Sequence, residues 1–159
     1  MNETKDLERT YDSCIAEGFI RFRKDVDKEL AKSLLESAQD GIERLNMKEL
    51  NYEKKTKNYS VLFTEHYDIL RKLIDAAILF DKATTANHQC SNAFLCIRHE
   101  NWEFDWETIE SMRILRNDVN YKGRKIDYAV WKSFEIKFTV YFQTLVKIIN
   151  ERLNEQIQN

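Results

Sequence analysis

The chain has 159 residues, a formal net charge of −2, no proline, three glycines and 43% hydrophobic residues. A chain of this length can bury one hydrophobic core, and few of its residues are those that punctuate strands and hairpins, so its composition predicts a single all-α domain over residues 1–159. The balanced charge excludes a large nonspecific attraction to nucleic acid or acidic membrane, so any nucleic-acid site must be a local patch.

The cysteines and the N-terminal residues predict a reduced, cytoplasmic protein. Cys14, Cys90 and Cys96 are an odd number without metal-ligand spacing, so we expect three free and mostly buried thiols. The first residues are polar and lack the apolar core of a signal peptide, and no apolar run approaches the roughly 20 residues of a membrane span. We therefore expect no membrane association, no metal and no cofactor.

A helical bundle of about five to six helices is predicted from the hydrophobic periodicity. A short first helix over about residues 5–17 ends at Gly18, which can adopt the left-handed conformation that ends many helices. Residues 19–23 are predicted to form an aromatic linker. Asp25 or Asp27 can then cap a second helix. The core face of that helix comprises Leu30, Ala31, Leu34, Leu35, Ala38, Ile42 and Leu45.

The middle of the chain predicts three further helices after the polar, basic stretch 53–57. The third helix has the clearest amphipathic stripe, and a loop over residues 81–86 leads to a shorter fourth helix near residues 87–99. Asp105 is predicted to cap a fifth helix that ends at Gly123. The stripe on the third helix contains Tyr59, Leu62, Phe63, Tyr67, Leu70, Leu73, Ile74, Ala77 and Ile78.

A long final helix is predicted to begin after Asp127, and residues 154–159 are expected to fray. Its apolar residues recur in a near-heptad seam, which indicates either a core spine or a dimer contact. The bundle core is expected to span about residues 26–155. The seam contains Val130, Trp131, Phe134, Phe138, Tyr141, Phe142, Leu145, Ile149 and Leu153.

The fifth helix carries the one suggestive polar constellation in the sequence. Two arginines and two asparagines recur three and four residues apart, so they share one helix face. Arginine binds phosphate through a planar fork and asparagine is both donor and acceptor, so this face suits a phosphate or ribose contact. Alternatively, the arginines pair with Glu110, Asp118 or another helix, since charged helix faces are usually solvated or ion-paired. The four residues are Arg113, Arg116, Asn117 and Asn120.

Basic residues next to this face could extend it into a phosphate-binding strip. They are Lys122, Arg124 and Lys125, which follow the motif directly. The other basic segments, 21–24 and 54–57, are interpreted as solvated loops.

Common catalytic motifs are absent: there is no Walker loop, Rossmann glycine pattern, HExxH or GxSxG. Cys90 and Cys96 are interpreted as buried small hydrophobic residues rather than zinc ligands. His66 lies on the apolar stripe of the third helix and is predicted to be a hydrogen-bonded core residue. His88 is predicted to start the fourth helix, and His99 is predicted to be exposed.

The ordered combination of three segments resembles the HEPN superfamily of small helical-bundle proteins. Arg116-Asn117 near the end of a penultimate helix, followed by a long final helix, is similar to that family's arginine motif. Residues 65–77 are similar to its aromatic-pair helix, which runs into an alanine-rich turn. Residues 85–89 fall where many members have a short loop with a Ser-His pair. The resemblance covers roughly residues 26–155.

This resemblance implies a two-fold homodimer in which the arginine motifs of both subunits meet in a cleft. In active members that cleft cleaves RNA without a metal. Arg116 and Asn117 map onto the start of the motif, but Tyr121 stands where its histidine would be after four intervening residues. Tyrosine, with a reference pKa of about 10, is a poor general base.

Three functions follow as hypotheses. The first is a dimeric HEPN-like module with a degenerate catalytic motif that binds RNA or a nucleotide in a toxin–antitoxin or defence system. The second is a metal-independent endoribonuclease in which Arg116 and Asn117 stabilise the phosphate and Tyr121 or water handles the proton. The third is a noncatalytic module whose aromatic seam binds another protein, with a nucleotidyltransferase or antitoxin as the expected partner.

Overall fold

The protein is an all-α helical bundle, as predicted. The computed structural model describes residues 3–52 and 58–155, and most of these residues are helical. Among the described helices, none is long and apolar enough to cross a membrane. The predicted basic stretch 53–57 and the end of the predicted frayed tail lie outside the described residues. The helices are α1 (Glu3–Ala16), α2 (Lys28–Tyr52), α3 (Ser60–Ile78), α4 (His88–Arg98), α5 (Trp106–Lys122) and α6 (Tyr128–Glu155).

The helix ends follow from local chemistry that the sequence displays. Asp27 accepts a hydrogen bond from the Leu30 amide at 3.1 Å, and Asp127 accepts one from the Val130 amide at 2.9 Å. Each carboxylate thereby satisfies an amide that has no partner within its helix. Gly18 follows α1 with a φ of 70°, which confirms its predicted role.

Two short strands replace the predicted linker and part of the predicted loop. Strand β1 (Ile20–Phe22) pairs antiparallel with strand β2 (Ala83–Thr85), with Ile20 opposite Thr85. The predictions of a linker over 19–23 and a loop over 81–86 are therefore wrong at these positions. The two connections run side by side and satisfy each other's backbone groups. Three-residue strands are too short to leave an alternating pattern in the sequence.

Helices α3 and α6 provide the centre of the core. Phe63 of α3 packs edge-on against Phe138 of α6, with ring centroids 5.4 Å apart. The predicted seam is a core spine rather than a dimer contact, because most of it is buried within the chain. One core position was wrong, since Leu30 is 41% exposed and Ala31 takes the inward place in that first turn of α2. The buried seam residues are Trp131, Phe138, Tyr141, Phe142, Leu145 and Ile149.

The cysteines differ from the prediction of three free thiols. Cys14 of α1 and Cys90 of α4 form a disulfide, with their Cα atoms 5.7 Å apart. Cys96 is free and buried, as predicted, and burial raises the pKa of its thiol to about 12. The two bonded cysteines are 76 residues apart in the chain, so no local spacing reveals that the fold brings them together.

Candidate functional site

Helix α5 presents its arginines towards α3 and α4, where they become part of a polar cluster. Asp105 caps α5 by accepting a hydrogen bond from the Thr108 amide at 2.8 Å, and Gly123 ends the helix with a φ of 64°. Ile109, Met112 and Leu115 are buried against the core. This fixes the rotation of α5, so that Arg113 and Arg116 lie half-buried beside the apolar face, as predicted.

Arg113 is held by a buried carboxylate on its own helix. Its Nε donates to both oxygens of Glu110, at 3.1 and 2.9 Å. Glu110 is buried and also accepts hydrogen bonds from Asn92 at 2.9 Å and from Gln89 at 3.3 Å, both on α4. The ion pair therefore connects α5 to α4, and it orients the Arg113 guanidinium through one edge only.

Arg116 pairs with a carboxylate on another helix. Its Nε and one terminal nitrogen donate to the same Asp68 oxygen at 3.1 and 3.0 Å, which connects α5 to α3. With the amide of Asn120 oriented so that its oxygen faces Arg116, that oxygen accepts from the guanidinium at 3.2 Å. The sequence left open that the arginines form ion pairs with Glu110 or with another helix. Arg113 pairs with Glu110, and Arg116 pairs with a carboxylate on α3.

A third arginine reaches the same region from α3. Arg71 donates through Nε to Asp75 at 3.3 Å, and Asp75 also accepts a hydrogen bond from Ser91 of α4 at 3.0 Å. Burial raises the pKa of the Asp75 carboxyl, and the neighbouring Arg71 opposes that rise. Arg71, like Arg113, is thus oriented through Nε by a carboxylate that α4 also contacts.

His88, the first residue of α4, lies among the three arginines. Its ring stacks on Tyr67 with centroids 5.8 Å apart, and its Nδ1 is buried without a hydrogen-bond partner among the described residues. We call Arg71, His88, Arg113 and Arg116 the arginine–histidine cluster.

The surroundings of His88 keep its ring neutral. Burial, as the main cause, and the positive charges of Arg71, Arg116 and Arg113 together lower its pKa to about 4. Burial also raises the pKa of the Tyr67 hydroxyl well above its ordinary value. At neutral pH the cluster therefore contains an uncharged imidazole, which has one donor and one acceptor nitrogen.

The cluster has hydrogen-bonding groups that no described residue occupies. Arg71 and Arg113 bind their carboxylates through Nε, and within residues 3–52 and 58–155 their terminal nitrogens have no hydrogen-bond partner. Asp68, Asp75 and Glu110 balance the three guanidinium charges. The cluster can therefore bind an oxyanion through directed hydrogen bonds rather than through an excess of positive charge.

The remaining predicted site residues lie elsewhere. Tyr121 is 79% exposed, so it is not positioned beside His88. Lys122 and Arg124 bind Asp118, at 2.7 and 3.4 Å, at the exposed end of α5. These ion pairs lower the pKa of the Asp118 carboxyl, with the Lys122 hydrogen bond as the main cause. The side chains of two further residues have no hydrogen bond to a described residue: Asn117, which is half-buried, and Lys125, which is exposed.

The other two histidines are structural. His66 is buried, as predicted, with Nδ1 2.7 Å from the Leu62 carbonyl oxygen. His99 was predicted to be exposed, and this is wrong. It is buried, it lies 2.6 Å from Asp81, and it stacks on Trp102 with centroids 3.6 Å apart. No group of three or more metal-ligating side chains occurs within the part of the chain that the structure describes.

Sequence reasoning missed Arg71 and His88 as partners of the α5 arginines. A weak signal for Arg71 exists, since Tyr67, Arg71 and Asp75 recur every four residues and so share a face of α3. His88 carries no periodic signal, because its place depends on how α4 packs against α3 and α5, and only the resemblance of residues 85–89 pointed to it.

A groove of about 450 Å³ between α2 and α6 includes none of the cluster residues. Its lining combines Ile42, Leu45 and Phe142 with polar side chains such as Gln39 and Gln143. The arginine–histidine cluster therefore remains the candidate site on chemical grounds.

Comparison of this chain with protein-family models, with curated proteins and with solved structures gave no match.

Proposed function

We propose that this protein is a HEPN-like helical module that binds the phosphate groups of RNA or of a nucleotide at the arginine–histidine cluster. The observation that carries the proposal is the convergence of Arg71, Arg113 and Arg116 on His88, where the terminal nitrogens of Arg71 and Arg113 have no hydrogen-bond partner among the described residues. We further propose that it acts as a homodimer in a toxin–antitoxin or defence system, where a nucleotidyltransferase or antitoxin is the expected partner. The resemblance of residues 26–155 supports this setting.

The cluster suits a phosphate because the guanidinium groups of Arg71 and Arg113 are each already oriented by a carboxylate bound to Nε. Fixing Nε removes conformational freedom from the side chain, so less entropy is lost when the terminal nitrogens bind an oxygen. Asp68 is the most exposed of the three carboxylates, with 49% of its side chain exposed. A phosphate can therefore compete with Asp68 for Arg116 more easily than with Glu110 for Arg113.

The test is binding of a fluorescein-labelled single-stranded RNA, measured by anisotropy across salt concentrations. About two neutralised phosphates give a log–log salt slope of roughly −1.4 for a single strand. Arg113→Ala combined with Glu110→Gln removes the guanidinium without leaving a buried carboxylate unpaired. This double variant and Arg116→Ala should each weaken binding at least about tenfold, which corresponds to one lost charge-assisted hydrogen bond.

Arg98→Ala is the matched control, since Arg98 is exposed at the opposite end of α4 from His88. The substitution removes one positive charge about 15 Å from His88 along the helix, so the affinity for RNA should hardly change. Equal affinity of the wild type, Arg116→Ala and the double variant would contradict the proposal.

A metal-independent endoribonuclease is the second candidate function, and the position of His88 favours it. A neutral imidazole beside three arginines can accept the proton of an RNA 2′-hydroxyl, which the exposed Tyr121 is poorly placed to do. Metal-chelated protein should then cleave RNA, His88→Ala should abolish cleavage while leaving most of the binding, and Tyr121→Phe should leave both intact. Cleavage that survives His88→Ala would exclude this role for His88.

The third hypothesis used the aromatic seam of α6 as a docking surface. Trp131, Phe138 and Phe142 are buried within the chain, so that seam offers no exposed patch to a partner. A protein partner must therefore contact other surfaces.

A further inference from the structure

The disulfide joins the N-terminal helix to the part of the protein that carries His88. Cys14 lies in the last turn of α1 and Cys90 in the first turn of α4, two residues after His88. Among the described residues, this is the only covalent link between elements that are distant in the chain. Breaking it would change how the start of α4 is held.

The disulfide borders an open pocket. A cavity of about 280 Å³ is lined by both cysteines and by Arg9, Ser13, Glu17, Phe19, Asn87 and Gln89. Only 5% of Cys14 and 1% of Cys90 is exposed to solvent. A small thiol therefore reaches the bond from this pocket when α1 opens locally.

The residues around Cys90 hold the carboxylates of the candidate site. Asn87 caps α4 by accepting a hydrogen bond from the Cys90 amide at 2.9 Å. Gln89 donates to Glu110, which orients Arg113, and Ser91 donates to Asp75, which orients Arg71. A change in the first turn of α4 would therefore disturb both arginines whose terminal nitrogens are unused.

Without the disulfide, α1 has a modest attachment to the bundle. Leu7 and Tyr11 are only partly buried against the core, and Tyr11 meets Phe94 of α4 with ring centroids 6.2 Å apart. Asp6 accepts a hydrogen bond from the Trp106 ring nitrogen at 3.3 Å. Elements with few buried apolar contacts open locally at low free energy, so loss of the bond should loosen α1 first.

We propose that the Cys14–Cys90 disulfide is a thiol-exchange site whose reduction weakens phosphate binding at the arginine–histidine cluster. A thiolate of a small dithiol attacks one sulfur of the bond, and the other cysteine leaves as a thiolate that takes a proton from water. The second thiol of the dithiol then attacks the mixed disulfide. Both cysteines end as thiols, and the dithiol ends as a cyclic disulfide after giving up two electrons.

The binding consequence rests on the proposed function, so the experiment has a readout that does not. Thiol titration of the unfolded protein should find one free thiol before treatment with dithiothreitol and three after it. Hydrogen exchange of the folded protein should become faster in α1 and in the first turn of α4 on reduction. Affinity for the labelled RNA should fall about tenfold, equivalent to one lost charge-assisted hydrogen bond.

Variants of the three cysteines separate the bond from its surroundings. Cys14→Ser should bind RNA as weakly as the reduced wild type and should not respond to dithiothreitol. Cys96→Ala is the matched control, because Cys96 is buried on α4 outside the disulfide. It should retain the full response.

Each outcome bears on one of the two proposals. Three free thiols before reduction, or unchanged exchange in α4 after it, overturn the thiol-exchange proposal. Equal RNA affinity in both states overturns it as well and leaves the proposed function intact. Absence of RNA binding in both states, together with faster exchange on reduction, contradicts the proposed function and supports the control of α4 by the disulfide.

Discussion

At the scale of single residues, the chemistry of the candidate site depends on His88 being neutral. Tyr67 covers one face of its ring, while Arg71, Arg113 and Arg116 surround it with positive charge. Protonation of the ring would place a fourth positive charge among the guanidiniums at a half-buried position. A bound phosphate would reverse this preference, because its negative charge favours the imidazolium.

This environment predicts acid-sensitive stability. The pKa of His88 is lowered to about 4 in the folded state from its ordinary value of 6.5, so the unfolded chain binds more protons between these values. The contribution of His88 to stability is therefore fully present above pH 6.5 and is lost as the pH falls through 4. Urea unfolding between pH 7 and pH 4 measures it. His88→Gln should flatten this part of the curve, and an unchanged curve would contradict the assignment.

The residues also show which parts of the site the sequence could reveal. Asp105 and Gly123 were predicted correctly because capping is a local effect within a few residues of each helix end. The Arg116–Asp68 pair spans 48 residues, and no periodicity within α5 indicates which carboxylate it meets. Convergence of arginines on one face could be predicted, whereas the histidine they surround could not.

At the scale of elements, the α2–α3 contact is close enough to require a glycine. A Cβ atom added at Gly41 of α2 would lie 2.8 Å from Cδ1 and 2.9 Å from Cγ1 of Ile69 on α3. Gly41 therefore suits this helical position although alanine has the better helix propensity, because the Ile69 side chain occupies the space that a methyl group would take.

If steric contact is the cause, the effect of Gly41→Ala on the free energy of unfolding should change sign when the Ile69 side chain is shortened. Gly41→Ala should reduce the free energy of unfolding by about 1 kcal/mol, since overpacking costs roughly 1–3 kcal/mol and the gain in helix propensity offsets only about 1 kcal/mol. In an Ile69→Ala background, which has room for the new Cβ, the same change should stabilise the protein by up to about 1 kcal/mol. Urea unfolding of the four proteins measures both steps, and equal effects in both backgrounds would exclude steric contact as the cause.

The elements that sequence reasoning found are those with a strong periodic signal. The amphipathic stripe of α3 and the seam of α6 extend over several turns, so burial leaves a clear pattern. Strands β1 and β2 have three residues each, and their pairing arises only because the fold brings two connections together. The same non-local origin explains why the Cys14–Cys90 bond was not predicted.

At the scale of the whole molecule, most large apolar side chains are inside, but three on α6 are exposed, namely Tyr128, Ile136 and Val140. Ile136 is 72% exposed and Val140 is 47% exposed, one turn apart on the outer face of α6. The homodimer expected from the resemblance needs an apolar contact surface, and this outer face is a candidate for it.

Introduction of one negative charge tests whether the outer face of α6 is the dimer contact. Sedimentation of the wild type should show a dimer, and Ile136→Glu should convert it to a monomer, because burying an unpaired carboxylate in the contact is unfavourable. Asn150→Glu adds the same charge on the exposed side of α6, roughly 20 Å further along the helix, and should leave the dimer intact. A monomeric wild type would contradict the dimer, and a dimeric Ile136→Glu would place the contact elsewhere.

The small β1–β2 sheet also has a consequence for the order of folding. Its strands flank α2 and α3 in the chain, so without the Cys14–Cys90 bond the pairing of Ile20 with Thr85 must close a loop that contains both helices. Closing so long a loop is entropically unfavourable until other contacts have shortened it. In pulse-labelling during refolding of the reduced protein, the amides of the sheet should therefore gain protection after those of α3, which makes the connection beside α4 a late step in the assembly of the molecule.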